Sequence, residues 1–291
     1  MKLYLVILML LIAITMGRAC MPNTPVQLPA KEETVVLLHG LTRSSKAMEK
    51  MAKSLRAEGY TVINQDYPST SATVEKLTEQ VFQALKPQIT DAESVHFVTH
   101  SLGGIILRQH LENHEIPNLG RVVMLAPPSR GSEVPDKLGS IFLYKWINGP
   151  AGNQLGTGTN SLPLRLKTPE FELGIIAGDR TINPFLSMLI PGPDDGKVSL
   201  ARVKPAAYTD FIRLHATHAC MMWNKNVIGQ TMYFLEHGCF NVDGASSSIA
   251  HDQETCSNLE QASSLITTAR NNRTNVTEQD APSPLKEVHH D

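Results

Sequence analysis

The sequence predicts an α/β domain, a mostly parallel sheet with helices on both faces, on three observations. Apolar runs alternate with amphipathic stretches, the order that builds parallel strands joined by crossover helices. A serine, Ser101, sits where an apolar run gives way to Gly103 and Gly104, the signature of a sharp strand-to-helix turn. The chain has 291 residues, 42% hydrophobic and 19% charged, enough to bury one sizeable core. Its formal charge of −2 offers no electrostatic footprint for nucleic acid.

At the start of the chain, Lys2 precedes the apolar stretch Leu3 to Met16, and Gly17 and Ala19 place small residues where a signal peptidase cleaves. Residues 1–19 therefore read as a signal peptide or, if uncleaved, an N-terminal anchor; the apolar stretch is shorter than the ~20 residues of a spanning helix. The expected location is exported: secreted, periplasmic or membrane-anchored. Cleavage after Ala19 would expose Cys20, which resembles a lipid-modified cysteine, although Gly17 and Arg18 depart from that pattern. Four cysteines, Cys20, Cys220, Cys239 and Cys256, make disulfides an expectation in an exported chain, with Cys220 read as a buried small hydrophobe.

Residues 20–33 form a Pro-containing linker, and the domain is expected over 34–238. Strands are predicted at Thr34–Leu38, Thr61–Gln65, Val95–Thr99, Arg121–Leu125, Leu173–Ala177 and Phe211–Leu214. Between them Met48, Met51, Ala52 and Leu55 share one helix face, as do Val74, Leu77 and Val81 and, later, Ile228, Thr231, Met232 and Leu235. Those stripes are core. A stretch of about 127–170, rich in Pro, Gly and Asn, carries the apolar patch Ile141 to Ile147; an insert this long is a functional cover or a helix that completes the core. Residues 239–291 are polar and acidic, too poor in large apolar residues to offset the entropy of ordering, and are expected to be a disordered tail. Asn272 and Asn275 there match glycosylation acceptors.

Thr99-His100-Ser101-Leu102-Gly103 reads as a nucleophile elbow, with Thr99 standing where glycine is usual. A serine hydroxyl is a weak nucleophile, so acyl transfer at Ser101 requires a histidine to take its proton and a carboxylate to orient that histidine. Downstream acids are Asp179, Asp194 and Asp195; downstream histidines just past the last strand are His215 and His218.

His39-Gly40-Leu41 after the first strand, the Thr-His-Ser-Leu-Gly-Gly elbow, and Asp195-Gly196-Lys197-Val198 followed by Thr217-His218 together resemble the α/β-hydrolase superfamily, in its branch of triacylglycerol lipases and lecithin:cholesterol-type acyltransferases. The resemblance covers roughly 34–238. It implies an α/β-hydrolase fold with a lid-like insertion at about 127–170, and the order serine, acid, histidine. It points to Asp195 as the acid, with Asp179 the alternative and Asp194 third, and to His218 as the base ahead of His215. It implies main-chain oxyanion donors at Leu41 and Leu102, with His39 supporting that loop and His100 a filler of the elbow.

The activity implied is cleavage of carboxylic esters, lipids among them, through an acyl-enzyme on Ser101. An acyltransferase with the same triad and a non-catalytic binding member of the fold are the alternatives. The implied partners are a small-molecule ester or lipid and, through the N-terminus or lid, a membrane. No cofactor is required by this chemistry, and the sequence shows neither paired cysteines nor a His-Glu-x-x-His metal motif.

Overall fold

A computed structural model describes residues 31–182 and 184–241. The expected signal segment 1–19, Cys20 with most of the linker, Cys256, both candidate glycosylation acceptors and nearly all of the expected tail lie outside the described residues. Six strands, β1 (Glu33–Leu38), β2 (Thr61–Gln65), β3 (Ser94–His100), β4 (Leu119–Leu125), β5 (Leu173–Gly178) and β6 (Asp210–Leu214), form one sheet of order β2-β1-β3-β4-β5-β6, every pair parallel. Each predicted strand is present, within two residues of its expected bounds.

The inner strands β1, β3, β4 and β5 read as apolar runs because both faces are covered, whereas β2 at the sheet edge is more polar and only half-buried. Val36, Leu38, Phe97 and Ile175 point to one layer, with helices α2 (Val74–Ile89) and α3 (Leu102–Leu111). Val35, Leu37, Val98 and Ile176 point to the other, with α1 (Glu49–Ala57) and α9 (Lys225–His237). Thr73 caps α2 by accepting from Lys76 N, and Asn224 caps α9 by accepting from Asn226 N and Val227 N. A 3₁₀ turn, Ser45–Met48, precedes α1 and buries Met48 at the start of the predicted stripe.

The insertion between β4 and β5 packs into the core over one part of its length and is exposed over another. It holds α4 (Glu133–Leu138), α5 (Phe142–Asn153) and α6 (Leu162–Arg165). α5 breaks at Gly149, whose φ of 63° and closeness to the Thr70 carbonyl leave no room for a side chain. After the break, Ala151, Leu155 and Leu162 join the core, and Gln154 accepts from Val74 N while donating to Glu75. Before it, Phe142 and Trp146 are 81% and 73% exposed. Arg108 on α3 donates to the carbonyls of Ser129, Leu166 and Lys167, tying both ends of the insertion to one helix, and burial pushes its guanidinium down to about 10.

Two short helices follow β5: α7 (Pro184–Ser187) and α8 (Leu200–Val203). Past α9, Gly238 adopts φ 77° and ends the helix, and the chain turns back onto the sheet rather than away from it. Phe240 is fully buried against Phe234, its N–H donates to Asp210 Oδ2, and Asn241 N donates to Gln230 Oε1. Packing thus continues at least to Asn241, past the expected boundary at 238. Cys239 is buried and in a disulfide, while Cys220 is free and exposed rather than a core residue.

Phe240→Ala is expected to destabilise the domain by about 3–5 kcal/mol, the cost of emptying a buried aromatic site. Urea unfolding followed by tryptophan fluorescence measures it; a change below about 1 kcal/mol would place Phe240 outside the cooperative unit.

Candidate active site

Parallel strands deliver their C-terminal ends to one edge of the sheet, and in open α/β sheets that edge is where sites are built. β3 ends at His100 and α3 begins at Leu102, leaving Ser101 as the single residue of the turn, with φ 52° and ψ −115°. A serine held in so sparsely populated a region stores ~1–3 kcal/mol of strain. The turn stays closed because Ser101 N donates to Leu125 O of β4 and Gly104 N donates to Ser101 O. Thr99, the departure from the usual elbow, is fully buried, and its hydroxyl lies where a side chain on Gly104 would otherwise be. Gly104 thus supplies the space that glycine at 99 would have given.

The loop after β1 passes directly over this turn: a Cβ on Gly40 would lie 2.7 Å from His100 Nδ1 and 3.3 Å from Ser101 Cβ. His39 holds the loop from below. Its Nε2 accepts from Tyr67 N at 3.3 Å, so Nδ1 carries the proton and donates to Gly40 O at 2.9 Å. Tyr67 stacks on the imidazole at 4.0 Å and its hydroxyl donates to His39 O. Burial keeps His39 below the usual imidazole range, and therefore neutral, which the two hydrogen bonds require. Tyr67 was invisible to sequence reasoning, because nothing local marks it as a partner of His39, 28 residues away.

The structure separates the candidate acids and bases into two pairs. Gly178 and Leu214 are partners at the ends of β5 and β6, so Asp179 and His215 follow side by side, Oδ1 to Nδ1 3.1 Å. That pair faces outward: His215 is 60% exposed, Arg213 lies 3.5 Å from the other Asp179 oxygen, and neither Asp179 nor His215 lines the cavity at Ser101.

Asp195 and His218 sit further along the same two loops and fold back over the sheet edge. Asp195 Oδ2 is 2.7 Å from His218 Nδ1, both residues being buried. Asp195 Oδ1 accepts from Lys197 N at 3.0 Å and Val198 N at 2.9 Å, so the carboxylate receives three N–H donors. His218 N donates to Asp195 O, and His100 Nε2 donates to His218 O at 3.0 Å, fixing the main chain as well as the ring. His100 is therefore more than a filler: it ties the histidine loop to the elbow, and burial keeps it well below the usual imidazole range. Asp194 faces elsewhere, accepting from Ser187 Oγ and Gly196 N.

Ser101, Leu41, Lys197 and His218 line both of two adjoining lobes. One, of about 170 Å³, is walled by Arg43, Ile182, Asp195 and Ala219. The other, of about 260 Å³, is walled by Pro128, Val134, Pro135, Leu138 and Val198 among others. A larger, open cavity of about 830 Å³ at the opposite edge of the sheet, near Glu115 and Phe171, contains none of the triad candidates.

Among known proteins, the family model described as palmitoyl protein thioesterase matches residues 34–157. No curated protein sequence matches. The mature Bacillus licheniformis lipase BlEst2 superposes with a TM-score of 0.54 at 21% identity, covering 73% of this chain and 96% of that one. The same lipase in its propeptide form gives 0.52 at 21% identity, over 77% of this chain and 54% of that one. A metagenomic carboxyl esterase gives 0.50 at 17% identity, over 68% of each chain. With its six-stranded parallel sheet, helices on both faces and a serine at the turn between β3 and α3, the chain has the α/β-hydrolase fold.

Proposed function

We propose that this protein is a serine hydrolase of carboxylic esters, lipid esters among them, working through an acyl-enzyme on Ser101. The observation that carries this reading is the buried 2.7 Å contact of Asp195 with His218, in the cavity that also holds the strained Ser101. With Nδ1–H committed to Asp195, the His218 Nε2 lone pair is left to take the Ser101 proton as Oγ attacks the ester carbonyl. The carbonyl oxygen becomes an oxyanion, received by Leu41 N–H and Leu102 N–H, each such donor being worth ~2.7–4 kcal/mol in the transition state. His218 then passes its proton to the leaving oxygen as the C–O bond breaks. Water repeats the sequence on the acyl-enzyme: His218 takes its proton, the acid is released, and Ser101 regains its hydrogen.

The match to the palmitoyl protein thioesterase model extends the candidate substrates to thioesters, in which a thiolate leaves by the same route. Two groups of exposed apolar side chains lie on segments that also lend residues to the cavity walls: Phe142, Leu143 and Trp146 on α5, which contributes Ile147, and Phe185 and Met188 around α7, which follows the cavity residue Ile182. So much exposed apolar surface beside a reactive cavity fits substrate taken from a lipid surface. Among the described residues no helix is long and apolar enough to cross a membrane. The apolar stretch Leu3 to Met16, with Gly17 and Ala19 after it, supports export of the chain.

Ser101→Ala is expected to abolish hydrolysis of a short-chain ester and labelling by a fluorophosphonate, the adduct on the parent protein mapping to Ser101. Unchanged turnover in the variant ends the serine-hydrolase reading. Asp195→Asn should lower kcat by about 10⁴-fold by turning the imidazole to the wrong tautomer, whereas Asp179→Asn, acting on the outward pair, should cost far less. The reverse ranking assigns the acid to Asp179. The double variant Phe142→Ser, Trp146→Ser should bind phosphatidylcholine vesicles several-fold more weakly in co-sedimentation, since each aromatic removes a large apolar contact. Equal binding removes α5 from any lipid contact.

A further inference from the structure

The two lobes that meet at Ser101 differ in how apolar their walls are, and that difference assigns each an occupant. The leaving atom must lie within reach of the histidine that protonates it. His218 lines both lobes, so its reach does not choose between them; the larger lobe, walled by Pro128, Val134, Leu138 and Val198, is the apolar one and takes the acyl chain, which leaves the smaller lobe, with Arg43 and the loop of Asp195, to the leaving group. Lys197 lines both lobes, and Arg43 lines the smaller one.

In the smaller lobe the charge of Lys197 is offset only in part, by Asp195, while Arg43 is exposed. The lobe's one carboxylate, Asp195, is committed to His218 and two backbone N–H groups. Among the described residues the Lys197 ammonium donates no hydrogen bond, although its main chain is clamped on both sides, N–H to Asp195 and carbonyl to Ser132 Oγ. Burial and the neighbouring Arg43 push the Lys197 ammonium below its usual range, outweighing the opposite pull of Asp195. A partly buried charge only partly offset is costly, and a site that keeps one is preorganised for an anion.

We infer that Lys197, with Arg43 at the lobe's rim, selects esters or thioesters whose leaving group carries an anion, a carboxylate or a phosphate, and this rests on the serine-hydrolase reading above.

Three butyrate esters test it on the full-length protein: those of 4-hydroxyphenylacetamide (neutral), 4-hydroxyphenylacetate (carboxylate) and 4-hydroxybenzylphosphonate (phosphate-like). A methylene separates each charge from the ring, so leaving ability is nearly matched. The parent enzyme should favour one or both anionic esters over the neutral one by about tenfold in kcat/KM at low salt, with the preference shrinking as ionic strength rises. The anion that gains more identifies the source. Lys197→Met should lose most of that ratio and Lys197→Arg should keep it, the melting temperature of each variant reporting whether the loop still folds. If the parent cleaves the neutral ester without preference, or if well-folded Lys197→Met keeps the ratio, the assignment is overturned while the hydrolase reading stands. If no ester is cleaved and fluorophosphonate leaves Ser101 unmodified, both fall.

Discussion

The conformation of Ser101 is the constraint on which the rest of the site depends. A serine at φ 52° and ψ −115° relaxes unless its neighbours prevent it. Here they do so from three sides: Leu125 O of β4 accepts the Ser101 N–H, α3 begins at the next residue, and the Gly40 loop presses on His100 from above. Each restraint depends on the parallel sheet, because β1 and β4 flank β3 and end at the same edge. The central strand, buried on both faces, pins the turn, and the turn in turn sets where an acid and a base must arrive.

The arrival of those groups explains why the site has two Asp–His pairs rather than one. Register alone places Asp179 beside His215, since they extend the ladder of β5 and β6 by one step. Reaching Ser101 requires the longer excursions that carry Asp195 and His218 back over the sheet edge, and these must be held by their own hydrogen bonds. The Asp195 loop is held by its carboxylate accepting Lys197 N and Val198 N, and the His218 loop by Asp195 O and His100. The residues that position the site are therefore largely its own main chain.

The strands were legible in the sequence because a strand covered on both faces is written as an unbroken apolar run, and no tertiary information is needed to read one. The elbow was legible for a similar reason: the turn, the serine and the glycines that follow it are contiguous. Where long-range contacts decide, the sequence said less. Asp179 and Asp195 are both acids on the loop after β5, and only the fold shows which histidine each meets. The chain past Gly238 read as tail because polar composition dominates it, yet the buried Phe240, with the hydrogen bonds of Phe240 N and Asn241 N, keeps the turn after α9 on the sheet. The insertion was ambiguous in sequence because it is divided in fact, at the glycine that breaks α5 into an exposed aromatic half and a packed half.

That division bears on how substrate reaches the serine. The packed half of the insertion is fastened to α2 through Gln154 and to α3 through Arg108, so the wall it lends the acyl lobe is anchored to the sheet's own helices. Its first turn is fastened elsewhere: Ser132, the cap of α4, donates to Lys197 O in the loop that carries Asp195. The apolar wall and the acid loop are thus joined at Lys197, and again just beyond it, where Ser199 Oγ and Arg202 Nε donate to Glu133 of α4. On the proposed assignment, a change that shifts α4 would reach both the Asp195 carboxylate and the Lys197 ammonium. On the proposed reading, acyl accommodation and leaving-group recognition share one support, because the four-residue turn Asp195 to Val198 lines both lobes.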